Sequence, residues 1–215
     1  MLEIGCGWGA VAEDLVRTKN CHVTGVTLSE EQFAYALDRL RPEIEANEAE
    51  IRLQDYRDVG GQFDRIVSIE MFEAVGEAYW RRYFDVLKQR LVEHGIAVLQ
   101  VITIAETRFE NYSRSPDFIQ RYIFPGGMLP TKTHLHTLAA AAGLEIVSEL
   151  SFGNGYARTL AEWRTRFRKA WPEIRQRGFD ERFRRMWDYY LAYCEAGFRA
   201  NATDVVMIKL RPTSR

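Results

Sequence analysis

A glycine-rich turn with an acid just ahead of it opens the chain, as Met1-Leu2-Glu3-Ile4 runs into Gly5-Cys6-Gly7-Trp8-Gly9. A short apolar strand emptying into G-x-G-x-G lets the backbone approach a nucleotide-type ligand without Cβ collisions. The helix that follows aims its N-terminus at that ligand. Dinucleotides and S-adenosylmethionine both use such turns. Two features separate them here. A pyrophosphate binder spaces its third glycine as G-x-G-x-x-G, whereas this one comes a residue early. Glu3 also offers a carboxylate to an ammonium group, which S-adenosylmethionine has and a dinucleotide lacks. The pattern favours S-adenosylmethionine, with Glu3, Gly5, Cys6 and Gly7 as candidate cofactor contacts.

Further contacts fall at the ends of the next two strands. Where an acid would take ribose hydroxyls, the chain has Thr27, Leu28, Ser29 and Gln32, whose polar members hydrogen-bond without charge. Asp55, after the third strand, is placed to face an adenine, and Tyr56 beside it is a further candidate cofactor contact. Glu70 is left open between a solvated surface acid and one that faces the cofactor. Cys6, Cys21 and Cys194 share no metal-ligand spacing and are odd in number, so reduced thiols and no metal are expected.

The elements that must hold these residues alternate between short apolar strands and helical stretches, the mark of a parallel α/β sheet. Strands are expected at Leu2–Ile4, His22–Val26, Ile51–Gln54, Phe63–Ile69 and Ile96–Ile104, the last long enough to be central. Ser29 and Gln32 have capping-box spacing for a helix reaching about Arg41. Residues 105–132 read as loop around Phe124-Pro125-Gly126-Gly127. A helix over His134–Ala142 stops at Gly143, and Leu144–Ser151 and Asp204–Leu210 read as two last strands. Between them lie two helices, Leu160–Ala170 and Glu181–Arg199, separated at Trp171-Pro172. Phe183, Trp187, Tyr190, Cys194 and Phe198 repeat at helical spacing and read as core. The expectation is one domain over residues 1–215 with insertions at about 105–132 and 156–200.

With 47% hydrophobic and 27% charged residues and a net charge of -1, the composition is that of a globular domain and not of a polyanion binder. The segment after the fourth strand, Ser68-Ile69-Glu70-Met71-Phe72-Glu73, lacks the proline-aromatic clamp used on flipped bases, so nucleic acid is not an expected partner. No apolar run reaches about 18 residues, and a cytoplasmic location is expected. Charge is uneven, however. Arg158–Arg199 holds eleven basic against six acidic side chains, interleaved with aromatics. Such a segment suits an anionic membrane surface, or equally a solvated basic face over an aromatic core.

The strings LEIGCGWG, GVTLSEEQ, DYRD, FDRIVSIEMFEAVG, YIFPGGMLP, GYARTLAEWRTRF and YYLAYCEAGFRA together resemble the cyclopropane-fatty-acyl-phospholipid synthase and mycolic acid cyclopropane synthase family, over essentially the whole chain. The resemblance implies a seven-strand Rossmann-like methyltransferase sheet with its last strand antiparallel and helical lid insertions. It implies methyl transfer from S-adenosylmethionine to a cis double bond of an unsaturated phospholipid in an anionic membrane, at the inner membrane face. It also implies a bound bicarbonate as the base. Carried over by motif, Glu73 of F-E-x-V-G, Tyr156 of G-Y-A-R-T-L and the backbone carbonyl of Ile102 belong to that anion's pocket. Glu73 can instead cap the helix after the fourth strand, and Tyr156 can be a hydrogen-bonded core tyrosine.

The chain departs from the family at the pocket. Gln100 stands where the family places a histidine near the end of the fifth strand. Ala74 and Gly155 replace two more histidines. A cysteine that the family contributes from upstream has no counterpart, and Cys6, Cys21 and Cys194 lie in the wrong places to replace it. The four histidines read as structural. A first strand so central rarely opens a protein, so the expectation is the C-terminal core of a longer enzyme. Methyl or methylene branching, a small-molecule methyltransferase and an inactive paralogue remain alternatives, and a homodimer stays open.

Overall fold

Leu2–Ile4 (β1) is buried along its whole length, because parallel strands flank it on both edges. The computed structural model describes residues 1–213. Its other strands are β2 (Val23–Thr27), β3 (Ala49–Leu53), β4 (Phe63–Ile69), β5 (Leu91–Ile104), β6 (Leu144–Ser151) and β7 (Thr203–Pro212). They form one seven-stranded sheet in the order β3-β2-β1-β4-β5-β7-β6. The first five strands run parallel, while β7 is antiparallel to both β5 and β6. This is the methyltransferase sheet the resemblance implied.

The strand β5 shows how the sheet serves two purposes. Its odd positions, Ala97, Leu99, Val101 and Thr103, are buried to within 1%. The three apolar ones join the main core with Tyr83, Phe84 and Leu135. Side chains alternate along a strand, so the even positions Gln100, Ile102 and Ile104 face the opposite side. There Ile102 packs against a third cluster made by Leu160, Leu191 and Phe198 of the late helices.

Three helical expectations need correction. The helix after Ser29 divides into α2 (Glu30–Arg39) and α3 (Arg41–Glu45), because Pro42 has no N–H to continue the ladder. Ser29 does cap α2 through Gln32 N–H at 3.3 Å. Residues 105–132 are not a loop. They hold α5 (Glu106–Arg114) and α6 (Phe118–Tyr122), the latter with an Asp117–Gln120 capping box. The polar run of α5 hides its periodicity, and tertiary contacts hold it. Phe109 stacks 4.4 Å from His134, and Tyr112 Oη accepts from Leu129 N–H. Finally, the helix broken at Pro172 in sequence is a continuous α8 (Gly153–Gln176). Proline costs an interior helix about 3 kcal/mol. Here that is offset by packing on α9 (Glu181–Arg199), through Phe167 against Phe183, through Trp171 against the Arg184 guanidinium, and through Arg164 and Arg168, both bonded to Asp188.

Candidate active site

Strands β1 and β4 are neighbours, yet the chain leaves them toward opposite edges of the sheet. Such a reversal opens a crevice beyond the strands' carboxyl ends, where α/β sheets bind ligands. Two turns frame it, Gly5–Gly9 after β1 and Glu70–Val75 after β4. The strand ends are tied together by Ser68 Oγ, which donates to the Ile4 carbonyl at 2.9 Å.

The first cavity, of about 440 Å³, lies against the glycine turn. Gly5, Thr27, Leu28, Ser29, Gln32, Asp55 and Tyr56 all line it, as the sequence predicted. Gly5 has φ +79°, and a Cβ there would lie 2.8 Å from Met71 Cγ, so only glycine fits. Thr27 Oγ1 donates to Gln32 Oε1 at 2.8 Å, which orders the polar rim. Asp55 accepts from Arg57 N–H and from its guanidinium, which holds the Asp55 carboxyl below the usual carboxylate range.

Three candidates are not on this wall. Glu3 lies beneath the turn, only 2% exposed, with its carboxyl meeting the Ala12 backbone N–H in the first turn of α1 (Ala10–Lys19). Burial pushes it up to about 8, and its Oε2 has no partner. It supports the turn from below. Cys6 packs into the second core cluster with Val16 and Leu40, because its side chain points down from the turn onto Gly25. Gly7, at φ +53°, has open space about it and stands outside the lining.

Gln54, Arg57, Met71, Ala74, Val75 and Tyr79 complete the wall and were missed in sequence. Their signal was positional, since they follow β3 and β4 at the crevice. The cleft suits an adenosyl sulfonium. Its floor is apolar (Ile4, Val26, Met71, Val75), its rim hydrogen-bonds, and the one cation among the described lining residues, Arg57, is committed to Asp55. A pyrophosphate would find no free positive group on this wall.

The second cavity is larger, about 990 Å³, and mostly apolar. Ile102, Ile104, Met128, Leu129, Tyr190, Cys194 and Phe198 are among its walls. Its size is at the upper end of ligand pockets. The aromatic stripe of α9 is therefore both core and wall, because one side of Tyr190, Cys194 and Phe198 packs on α8 and another faces the space. Cys194, set aside in sequence, is on this wall with its thiol pushed up to about 12 by burial.

Four predicted site residues meet where the two cavities adjoin. Strand β4 pairs with β5 only as far as Ile69↔Gln100. Ile102 N–H therefore lies past the end of β4, and it donates to Glu73 Oε1. Glu73 Oε2 is enclosed and has no partner, and burial raises the carboxyl to about 8. The resemblance assigned a carbonyl contact to Ile102, but its N–H is the group engaged with Glu73. Gln100 Nε2 donates to Glu70 Oε1 at 2.8 Å and to Tyr156 Oη at 2.5 Å, and the Tyr156 hydroxyl donates to Glu70. Burial first, and then Glu70, raises the Tyr156 phenol above its ordinary value. Glu70 is neither a bare surface acid nor on the first cavity's wall. It lines the second cavity, at φ +50°, a left-handed conformation that is costly for a residue with a Cβ.

A family model described as mycolic acid cyclopropane synthetase matches residues 1–208. The tuberculostearic acid methyltransferase UfaA1 of Mycobacterium tuberculosis (strain ATCC 25618 / H37Rv) is 43% identical over 206 residues, covering 95% of this chain and 48% of the relative. The cyclopropane-fatty-acyl-phospholipid synthase of Escherichia coli (strain K12) is 41% identical over 202 residues, covering 93% and 50%. Among solved structures, mycolic acid cyclopropane synthase CmaA1 complexed with SAH and CTAB superposes with TM-score 0.89 at 27% identity, covering 97% of this chain and 76% of that one. The chain spans about half the length of the curated relatives it matches.

Proposed function

Since the chain belongs to the mycolic acid cyclopropane synthetase family, we propose that it moves a methyl group from S-adenosylmethionine to the cis double bond of an unsaturated phospholipid acyl chain. One observation carries this reading. The Glu70–Val75 turn is the shared wall of a polar-rimmed cleft and a long apolar cavity, with Ala74 lining both and two carboxylates on the cavity side.

When bound, S-adenosylmethionine supplies an electrophilic methyl group. Thr27, Ser29, Gln32 and Asp55 would hold its nucleoside, and the Gly5 turn its amino-acid end. An alkene is a poor nucleophile, so alignment must supply much of the catalysis. The apolar walls from α9, Met128 and Leu129 hold an acyl chain and exclude water. Methyl addition leaves a positive carbon on that chain, and carboxylate charge at the junction stabilises it. Loss of a proton from the added methyl then closes the cyclopropane ring.

A methylene branch on the same acyl chain, which a separate hydride-donating reductant would convert to a methyl branch, is a second reading. It is favoured by the likeness to a relative named for tuberculostearic acid.

The phospholipid reading draws further support from the α8–α9 hairpin. Trp163 and Tyr189 are about half exposed there, at 53% and 52%, among arginines that include Arg184 and Arg185. Among the described residues no helix is long and apolar enough to cross a membrane, so contact would be peripheral, at the inner membrane face. The test is mass spectrometry of dioleoyl phosphatidylglycerol vesicles incubated with the chain and methyl-labelled S-adenosylmethionine. A labelled gain of one CH₂ per acyl chain is expected, and it should fall with added salt. Fragmentation after ozonolysis separates ring from methylene. Methylation of soluble acceptors alone would refute the lipid reading.

A further inference from the structure

The pocket that the family resemblance assigns to bicarbonate is already filled by this chain's own carboxylates. Its donors are Tyr156 Oη, Gln100 Nε2 and Ile102 N. The first two are bonded to Glu70, and the third to Glu73. The Glu70 and Tyr156 oxygens sit side by side against the Gln100 amide. An added anion would have to compete with Glu70 and Glu73 for these groups and would face Glu70 at close range. Bicarbonate does not fit here.

We propose that Glu70 is the base of the reaction, its side chain standing where the family binds a separate anion, so that turnover needs no bicarbonate. The inference rests on the methyl-transfer reading above. The two carboxylates divide the work by position. Glu73 is enclosed, tied to a strand end and held largely neutral near pH 7. Glu70 lines the cavity and is exposed to it. The left-handed backbone that swings it there is fixed from two sides, by Glu70 N–H donating to the Gln100 carbonyl at 2.8 Å and by the two side-chain donors on its carboxylate. Strain held this firmly is typical of functional positions.

The step balances as follows. The alkene π pair forms the new C–C bond to the transferred methyl, and the C–S pair stays on sulfur as a thioether. The neighbouring acyl carbon becomes positive. Glu70 takes a proton from the added methyl, and the freed C–H pair closes the three-membered ring. For a methylene branch, a hydride first moves from the methyl-bearing carbon to the positive one, and the same C–H pair then forms the exocyclic double bond. Glu70 returns its proton to water on product release.

The experiment follows labelled methyl transfer to dioleoyl phosphatidylglycerol vesicles in bicarbonate-free buffer and with bicarbonate added. The wild-type rate should not change. Glu70→Gly, which also relieves the left-handed strain, should lose at least about a hundredfold and regain activity as bicarbonate enters the vacated space. Glu70→Gln keeps the space filled but accepts no proton, so it should be slow with or without bicarbonate. Thermal unfolding supplies a readout without turnover, in which bicarbonate raises the Tm of Glu70→Gly and leaves the wild type unmoved. A wild type that requires bicarbonate, or is stabilised by it, overturns the proposal. So does a Glu70→Gly enzyme running at full rate without it. Absence of methyl transfer in every arm would refute the substrate reading alone, and the Tm comparison would still decide whether Glu70 fills the anion's place.

Discussion

The two cavities share one wall and are built in opposite ways. The cleft beside β1 is made largely by backbone, by the path of a glycine turn and the ends of three consecutive strands. The apolar cavity is made by side chains gathered from β5, α5, α6, the 124–129 turn and α9. A backbone-built site depends on conformations few residues can adopt, so it is conspicuous in sequence and intolerant of change. A side-chain-built site is distributed, and each wall residue also serves as core.

The sharpest way to break this comparison is at Gly5. Gly5→Val would force a β-branched residue to φ +79° with its Cβ 2.8 Å from Met71 Cγ. Calorimetric affinity for S-adenosylmethionine should fall at least a hundredfold, about 3 kcal/mol. Affinity within tenfold of wild type would show that the cleft does not depend on that backbone path, and the contrast would collapse.

The same difference explains what the sequence disclosed. Gly5, Thr27, Ser29 and Gln32 were legible because a turn and a helix cap carry local rules; alternation showed a parallel α/β sheet, and the resemblance supplied its seven strands with the last antiparallel. Glu3 and Cys6 were near the cleft in sequence but point beneath it, since neighbours along a chain do not share a direction. Glu70 could not be assigned, because its role is set by Tyr156, 86 positions away, reaching it across the sheet end. Cys194 and Tyr190 read as core because helical spacing does not say whether a buried face meets another helix or a void. Pro172 misled for a similar reason, as the packing that carries α8 through it comes from α9.

A second prediction compares the acids of the two regions. Glu3 under the cleft and Glu73 at the cavity are each raised from 4.5 to about 8, with burial as the leading cause. Each is protonated in the fold over a range where the unfolded chain has lost that proton. Stability must therefore fall as pH rises from about 4.5 to about 8, by about 1.4 kcal/mol per pH unit for each proton, and level off above. Glu73→Gln keeps the acceptor for Ile102 N–H and should remove about half of that slope in urea unfolding, as should Glu3→Gln. Unequal effects would sharpen the comparison, by showing which region carries the larger burial cost. An unchanged slope in both variants would mean the acids are solvated in the folded protein.

The smallest effect should come from an ion pair between the two helices of the cavity's own scaffold. Asp188 on α9 accepts from Arg168 and Arg164 on α8, and both hold its carboxyl well below the usual range. Its contribution is present above the unfolded value of 3.8 and is lost as pH falls through the acid range. Arg168 is more than half exposed and the pair is solvated, so Asp188→Asn should cost no more than about 1 kcal/mol at neutral pH. Affinity for S-adenosylmethionine should not change. A distributed wall predicts this tolerance, because Leu160, Leu191 and Phe198 hold the helices together independently of the ion pairs. A loss of several kcal/mol would instead make the hairpin as dependent on single residues as the glycine turn, and the two regions would no longer differ in kind.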